Sequence, residues 1–185
     1  SYTPNDLNQY TGIQVSGTNL QPAYDADPPS HSYGETGGNM TAAGGVALTW
    51  NGRNRLTRIE PALPSGGDRR IDYAYGPTGR RVRKTVDVYQ NGSWSEESDT
   101  HYLYWEWNVI EEYRDRAGSA DETRRLIWGE DLSGGFQGAG GVGGLLAQEI
   151  DGGPHNGARW FYHYDGNGNV TEVTDNSGAT VAAYR

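Results

Sequence analysis

Aromatic and branched residues alternate with polar residues along short stretches of the chain, and these stretches end in clusters of Asp, Asn and Gly. The clearest example is residues 161–173, where Tyr162 and Tyr164 are two positions apart and therefore share one face of a strand. Residues 165–169 (DGNGN) follow, and these residue types accept the positive φ angles of tight turns. Alternation then resumes from residue 170. The pattern predicts a β-hairpin.

The same plan recurs along the chain. Strand, turn and strand are predicted at residues 48–59, 73–84 and 102–110, residues 37–41 match the end of a further copy, and a turn at 90–93 closes another hairpin. Neighbouring hairpins stabilise one another by pairing, because a single two-stranded ribbon is marginal in water. We therefore predict an all-β fold in which consecutive antiparallel hairpins form a curved, twisted sheet. Its open edges favour pairing with a second copy, so homo-oligomerisation is a further expectation.

Residues 1–45 follow the plan least well. They contain few branched residues and the breaker run DPPS at 27–30, so we expect long turns and short strands there. This irregular N-terminal segment is predicted to pack on the hairpin repeats of residues 46–185, and the two parts are predicted to form one structural unit.

Composition supports strands over helices and an aromatic core over an aliphatic one. With 28 Gly and 8 Pro, few windows of the chain escape a helix breaker, and the one short helix candidate is Ile110–Arg116. The 13 Tyr and 6 Trp offer large surfaces for burial where aliphatic residues are few.

Charge and cysteine content exclude several classes of function. The net charge of −9 argues against nucleic acid as the main ligand, since phosphate binding requires concentrated Lys and Arg. The arginine clusters at 69–70, 80–81 and 83–84 lie between strand residues and are interpreted as one solvated strand face. The chain has no Cys, which excludes disulfides and thiolate sites. No apolar stretch is long enough to predict a membrane span.

Several motifs carry a resemblance to a known family. Residues 164–171 (YDGNGNVT) are close to a repeat of Tyr-Asp, two residues, Gly-Asn and a hydroxyl residue, and residues 50–56 (WNGRNRL) match a W-x-G-x-N-R-L variant. Residues 75–81, 128–134 and 137–146 look like segments near the C-terminal end of such arrays. These motifs resemble the Rhs family, also called YD-repeat proteins, over roughly residues 5 to 185.

The resemblance implies a fold and a role. In that family the repeats form a long sheet that spirals into a hollow shell around a toxic C-terminal domain, which an aspartyl autoprotease cuts free. This sequence stops where the family continues, and Ser1 is not a natural initiator. We therefore expect a fragment of shell wall without the autoprotease core, plug or toxin. The resemblance also implies a bacterial protein that is secreted or displayed at the cell surface.

Three motifs suggest chemistry, and each has a structural explanation that is favoured. Residues 138–143 satisfy G-x-G-x-x-G, but a dinucleotide site also needs a following helix, so a turning connector is preferred and no cofactor is predicted. Residues 165–169 imitate the start of a calcium loop without its later ligands, so no metal is predicted. His163 has no nucleophile or further ligand identifiable by spacing, and no catalytic residue is assigned.

The tryptophans provide the candidate binding site. By alignment with the other hairpins, Trp105 falls at the turn position that Asp165 fills in the clearest one, and Trp107 follows two residues later. A large apolar ring in a turn is expected to be partly exposed. Together with Trp94 in the adjoining hairpin, these rings are interpreted either as a stacking platform for sugars or a protein partner, or as a cap folded over a thin core.

Three functions follow in order of preference. The first is a structural and interactive segment of an Rhs-like shell that encloses or displays a partner or toxin domain. The second is a carbohydrate-binding module that binds polysaccharide through exposed Trp and Tyr. The third is a hydrolytic enzyme, for example one acting on polysaccharide, although an enzyme is not favoured.

Overall fold

Strands dominate the structure. The computed structural model describes residues 2–4, 10–15, 18–26 and 36–184, and the strands within them, in chain order, are β1 Tyr2–Pro4, β2 Tyr10–Val15, β3 Thr18–Leu20, β4 Ala23–Ala26, β5 Thr36–Ala43, β6 Val46–Trp50, β7 Leu56–Pro61, β8 Arg69–Tyr75, β9 Arg81–Gln90, β10 Ser93–Trp105, β11 Asn108–Arg116, β12 Glu122–Trp128, β13 Leu145–Gly152, β14 Arg159–Tyr164, β15 Val170–Thr174 and β16 Thr180–Ala183. A 3-10 turn, Gly153–His155, follows β13.

The strand order in space is the strand order in the chain. Strands β4 to β16 form one 13-stranded sheet in which each strand pairs with its neighbours in sequence, and β1 to β3 form a small antiparallel sheet of their own. The prediction of an all-β fold built from consecutive antiparallel hairpins is confirmed. The short helix candidate Ile110–Arg116 is not a helix, because these residues belong to β11 and pair with strands on both sides.

The chain divides into two compact units. The first consists of residues 1–73 and 85–96, and the second of residues 74–84 and 97–185. The described part of residues 1–45 contains strands β1 to β5, while the breaker run at 27–30 lies outside the described residues. The division predicted at residue 45 stays a prediction.

A carboxylate or amide side chain at the first turn position closes several hairpins. The backbone N–H of Asp165 donates to the Asn169 carbonyl at 3.0 Å, and the Asp165 Oδ1 accepts the backbone N–H groups of Asn167 and Asn169 at 2.9 Å. The same arrangement recurs at Asp175 and at Asn51. The Asp and Asn residues at these positions therefore act as turn formers, as their sequence pattern predicts.

An aromatic ring at the end of a strand ties each of four strands to the one before it. The ring's polar tip donates a hydrogen bond of 2.6 to 2.9 Å to a backbone carbonyl of the preceding strand, in the pairs Trp50 to Met40, Tyr104 to Arg81, Trp128 to Val109 and Tyr164 to Leu145. The ring body covers the sheet while its N–H or O–H remains bonded, which is the arrangement that Tyr and Trp prefer when partly buried. This contact gives the tyrosine of the repeat a structural role.

In five strand pairs of the described sheet, the second strand has one residue without a partner on the first strand, directly after its first or second paired residue. In β14–β15, for example, His163 pairs with Glu172 but Tyr164 pairs with Val170, so Thr171 is unmatched. The unmatched residues of the other four pairs are Thr57, Ile110, Leu146 and Val181. The Thr171 hydroxyl donates to the His163 carbonyl at 3.3 Å, which explains the hydroxyl residue of the repeat. Each of these is a β-bulge.

The buried core is small and contains more polar than apolar side chains. Among the described residues, the buried apolar side chains are Val86 in the first unit and Ala147, Ile150 and Val173 in the second. The expectation of an aromatic core is wrong for this part of the chain, since no Tyr or Trp falls in the buried set. The four rings that donate to the preceding strand are instead half-buried, with their polar tips bonded.

The arginine clusters are also better partnered than the sequence suggests. Arg70 contacts Asp87 at 2.6 Å and lies 4.9 Å from the ring of Trp94, while the Arg81 guanidinium lies 4.7 Å from the ring of Tyr102. The interpretation of these clusters as one solvated face is therefore wrong. Guanidinium groups stack well on aromatic rings and pair with carboxylates, and both contacts occur here.

Candidate interaction site

The hairpin between β10 and β11 has a short turn that carries two tryptophans. Trp105 is the last residue of β10 and pairs with Asn108, the first residue of β11, so the turn consists of Glu106 and Trp107. The sequence alignment had placed Trp105 itself in the turn, one position too early. Glu106 adopts a positive φ of 52°, which allows the chain to reverse in two residues.

Both rings at this turn are accessible. Trp105 is 48% exposed and meets Phe136 edge to face at 5.6 Å between ring centroids. Trp107 is 61% exposed, and the guanidinium of Arg80 lies 4.6 Å from its ring centroid. One side of each ring is thus supported by a neighbouring side chain while the rest faces solvent. Because about half of each ring is exposed, the two rings are not folded over the core.

Trp94 occupies a different environment. It lies at the start of β10, at the opposite end of that strand from Trp105, and it is half-buried. Its ring meets Tyr89 edge to face at 5.1 Å, and Arg70 covers it at 4.9 Å. Trp94 therefore packs within the first unit, and its grouping with Trp105 and Trp107 stays a prediction.

A long loop between β12 and β13 is held together by one buried aspartate. The Asp131 Oδ1 accepts the backbone N–H of Ser133 at 2.9 Å and its hydroxyl at 2.5 Å, and Oδ2 accepts the N–H groups of Ala139 at 2.7 Å and Gly141 at 3.0 Å. The Ser133 hydroxyl, outweighing the effect of burial and aided by these N–H groups, lowers the pKa of Asp131 to about 2. The glycine-rich run at 138–143 is thereby fixed as a set of turns, and strand β13 follows it.

The same loop packs against two hairpin turns. A Cβ atom placed on Gly141 would lie 2.6 Å from the Asn108 Oδ1, beside the β10–β11 turn. One placed on Gly168, in the β14–β15 turn, would lie 2.6 Å from Val142 and 2.9 Å from Leu132. Glycine is required at both positions because the loop approaches these turns too closely for a side chain.

An exposed apolar surface results, which we call the apolar cap. It consists of Trp105, Trp107, Leu132, Phe136 and Val142, each between 46% and 61% exposed. The sequence reasoning found the two tryptophans and missed the three loop residues. The available signal was the run of single apolar residues separated by glycines in residues 132–142, since glycine allows a loop to present isolated side chains.

The polar residues considered for catalysis or metal binding are engaged in the sheet. The His163 Nε2 lies 2.9 Å from the Thr174 Oγ1, and the Asp165 Oδ2 accepts the Asn169 side-chain amide at 2.9 Å. Within the described ranges, no group of three His, Asp or Glu side chains is placed to hold a metal ion. The same ranges contain no helix long and apolar enough to cross a membrane.

Comparison with known proteins supports the fold. No protein-family model matches the chain. The chain is 28% identical to the tRNA3(Ser)-specific nuclease WapA of Bacillus spizizenii over 149 residues, which cover 80% of this chain and 5% of the nuclease.

Two solved structures align over nearly the whole chain. One is a crystal structure of TcdB2-TccC3-TEV, with a TM-score of 0.59, 16% identity and coverage of 100% of this chain. The other is a Tc holotoxin pore from Photorhabdus luminescens, with a TM-score of 0.60, 16% identity and coverage of 99%. The chain spans 9% of the matched chain in each case. The resemblance to Rhs proteins is thereby supported at the level of the fold: the chain has the architecture of a segment of these Tc toxin chains.

Proposed function

We propose that this chain is a wall segment of an Rhs-type β-repeat shell that encloses or displays a partner protein. The observation that carries the proposal is the agreement of spatial and sequence order across 13 neighbouring strands. Such an array extends by adding hairpins at either edge, and each new hairpin pairs with the last one. A wall made in this way needs little buried core of its own, which fits the small buried set.

The likeness to Tc toxin chains over 99–100% of the chain supports the same role. One of the two matched structures is that of a Tc holotoxin pore. A protein partner is accordingly proposed for this segment as well, and secretion or surface display is proposed with it. The edge strands β4 and β16 are the places where pairing with further strands or a second copy is proposed.

The test uses the full-length polypeptide that contains this segment. Electron cryo-microscopy is expected to show a closed β-shell with these hairpins in its wall, and limited proteolysis is expected to spare whatever domain lies inside. An open, extended array of hairpins with every domain equally sensitive to protease would contradict the proposal.

Carbohydrate binding by the apolar cap is a second candidate. Trp107 is 61% exposed at the tip of a turn, and the apolar face of a sugar ring stacks well on such a side chain. The Arg80 guanidinium beside the ring also supplies hydrogen-bond donors for hydroxyl groups.

Titration of tryptophan fluorescence with soluble polysaccharides tests this candidate. Trp107→Ala is expected to abolish the response, while Trp94→Ala, which removes an indole from the first unit, serves as the matched control and is expected to retain it. A parent protein that gives no response to any polysaccharide, or a Trp107→Ala variant that responds like the parent, would contradict carbohydrate binding at this surface.

A further inference from the structure

A buried carboxylate in the second unit is surrounded by three arginines. The Glu122 side chain is 1% exposed, and its oxygens lie 2.7 Å from Arg124, 3.0 Å from Arg116 and 4.0 Å from Arg114. Gly153, with a φ of +62°, covers it so closely that an added Cβ would lie 2.5 Å from Oε2. Burial works to raise the pKa of Glu122, but the hydrogen bond from Arg124 and the three positive charges outweigh it and lower that pKa.

Buried side chains fix the orientation of two of these arginines. Arg116 donates to the Glu122 Oε2, and the Arg114 Nε donates to the Thr100 Oγ1 at 3.3 Å, where Thr100 is itself 1% exposed. Arg114 and Arg116 are two apart on β11 and therefore share a face of the sheet. Guanidinium groups anchored from behind in this way keep their remaining N–H donors in fixed directions.

Those two arginines line a pocket of about 410 Å³. The other lining residues are Glu97, Ser98, Ala117 and Ser119. Within the described part of the chain, the hydroxyls of Ser98 and Ser119 form no hydrogen bond to protein, so they remain available to a ligand. The lining thus offers two guanidinium groups and two hydroxyl groups around one space.

The pocket is positively charged although the chain is acidic. The residues that line the pocket include two arginines and one carboxylate, Glu97, so the lining carries one excess positive charge, whereas the whole chain carries −9. Arg124 and Arg116 lie 2.7 and 3.0 Å from Glu122 while Arg114 lies 4.0 Å from it, so the charge of Arg114 is the least engaged of the three.

We propose that the pocket lined by Arg114, Arg116, Ser98 and Ser119 binds a tetrahedral oxyanion of the phosphate or sulfate class. Two guanidinium groups and two hydroxyls offer more donors than a planar carboxylate can use, and they suit a group with three or four oxygens. A volume of about 410 Å³ leaves room for an organic group attached to the anion. The site lies apart from the apolar cap and is independent of both proposed functions.

Isothermal titration calorimetry of the chain tests the proposal. Inorganic phosphate, inorganic sulfate and glycerol 3-phosphate are titrated separately, each against sodium chloride at matched ionic strength. Saturable binding of at least one oxyanion that chloride does not reproduce is expected, and its absence overturns the proposal. Stronger binding of glycerol 3-phosphate than of phosphate identifies an organic phosphate as the ligand, whereas a preference for sulfate identifies a sulfate group.

Two variants locate the binding. Ser119→Asp adds a negative charge at an exposed rim position and is expected to weaken binding at least about tenfold. Its matched control is Ser93→Asp, the same change at an exposed serine of the β9–β10 hairpin. Arg114→Gln is expected to weaken binding similarly, with Arg125→Gln, whose arginine pairs with Glu111 at 3.4 Å, as control. If Ser119→Asp and Arg114→Gln bind like their controls, the site is elsewhere and the proposal fails.

Discussion

Two hairpins of the second unit have matching strand ends and different turns. Tyr164 and Tyr104 each donate a hydroxyl hydrogen bond to the preceding strand, at 2.6 and 2.9 Å. The β14–β15 turn then uses Asp165, whose carboxylate accepts three hydrogen bonds from within the turn. The β10–β11 turn consists of Glu106 and Trp107 alone.

The difference distinguishes a turn whose side chain serves the fold from a turn whose side chains can contact a partner. A turn that satisfies its own polar groups presents little that a partner could recognise. A turn without such an acceptor depends on backbone geometry, and its side chains remain free to face solvent, as Trp107 does. We infer that binding surfaces in this chain lie where the repeat departs from its pattern.

The largest expected effect concerns the packing of the Asp165 turn under the long loop. Gly168→Ala should lower the free energy of unfolding by about 2–3 kcal/mol, because the new Cβ combines a positive φ with contacts to Val142 and Leu132. Gly178→Ala has the same φ but nothing within 4 Å, so about 1 kcal/mol is expected. Urea denaturation measures both. Equal losses would show that the loop does not pack on the β14–β15 turn.

Acid should destabilise the Asp165 turn and the Asp131 loop. Hydrogen bonds from the Asn169 side chain and from backbone N–H groups lower the pKa of Asp165 from 3.8, and the pKa of Asp131 falls to about 2. A depressed folded-state pKa gives stability that is complete above the unfolded value and is lost as pH falls through the folded value. The free energy of unfolding of the chain should therefore fall as the pH is lowered from about 4 to about 2.

Asp165→Asn provides the check on this acid dependence. Asn keeps an acceptor but does not titrate, so the variant should be less stable than the parent at pH 7 and should lose less stability between pH 4 and 2. Thermal unfolding followed by circular dichroism at a series of pH values measures this. A variant with the same pH profile as the parent would remove Asp165 as a source of the dependence.

A smaller gain is expected at the short turn. Glu106 has a φ of 52°, which costs a residue with a side chain more than it costs glycine. Glu106→Gly should stabilise the chain by about 0.5–1 kcal/mol, whereas Glu106→Gln should change little. Urea denaturation of the two variants gives the comparison, and a destabilised Glu106→Gly would mean that the Glu side chain itself holds the turn.

The smallest effect on stability is expected for the exposed ring. Trp107→Ala should lower the free energy of unfolding by no more than about 0.5 kcal/mol, since the ring loses mainly its contact with Arg80. Trp50→Ala is a useful contrast, because that ring is half-buried and donates to the Met40 carbonyl at 2.7 Å. If Trp107→Ala costs as much as Trp50→Ala, the ring belongs to the fold and not to a binding surface.

The hairpins could be predicted from sequence because their turns are local. Asp165 bonds residues two and four positions away, so the pattern of Asp, Asn and Gly encodes the turn directly. Ile110–Arg116 stands out as a helix candidate because it contains no Gly or Pro, whereas pairing with β10 and β12 makes it a strand. Here the tertiary context overrides the local preference.

The candidate site was only partly predictable. The tryptophans stand out by size, and the alignment, although one residue off, points to the β10–β11 hairpin that carries them. Phe136 and Leu132 reach the same surface through a loop whose shape depends on Asp131 accepting N–H groups eight and ten residues away. No short-range pattern indicates such a contact. The partnering of Arg70 and Arg81 was missed for the same reason, because their acidic and aromatic partners lie on other strands.

The unmatched residue near these turns limits which insertions and deletions the sheet can accept. Loss of Thr171 alone would restore continuous pairing but exchange the two faces of the strand on one side of it, since side chains alternate with a period of two. Removal or duplication of a whole hairpin keeps every offset intact. The natural unit of insertion and deletion in this chain is therefore the hairpin, and gene variants that respect this unit should keep the same residues facing the same side.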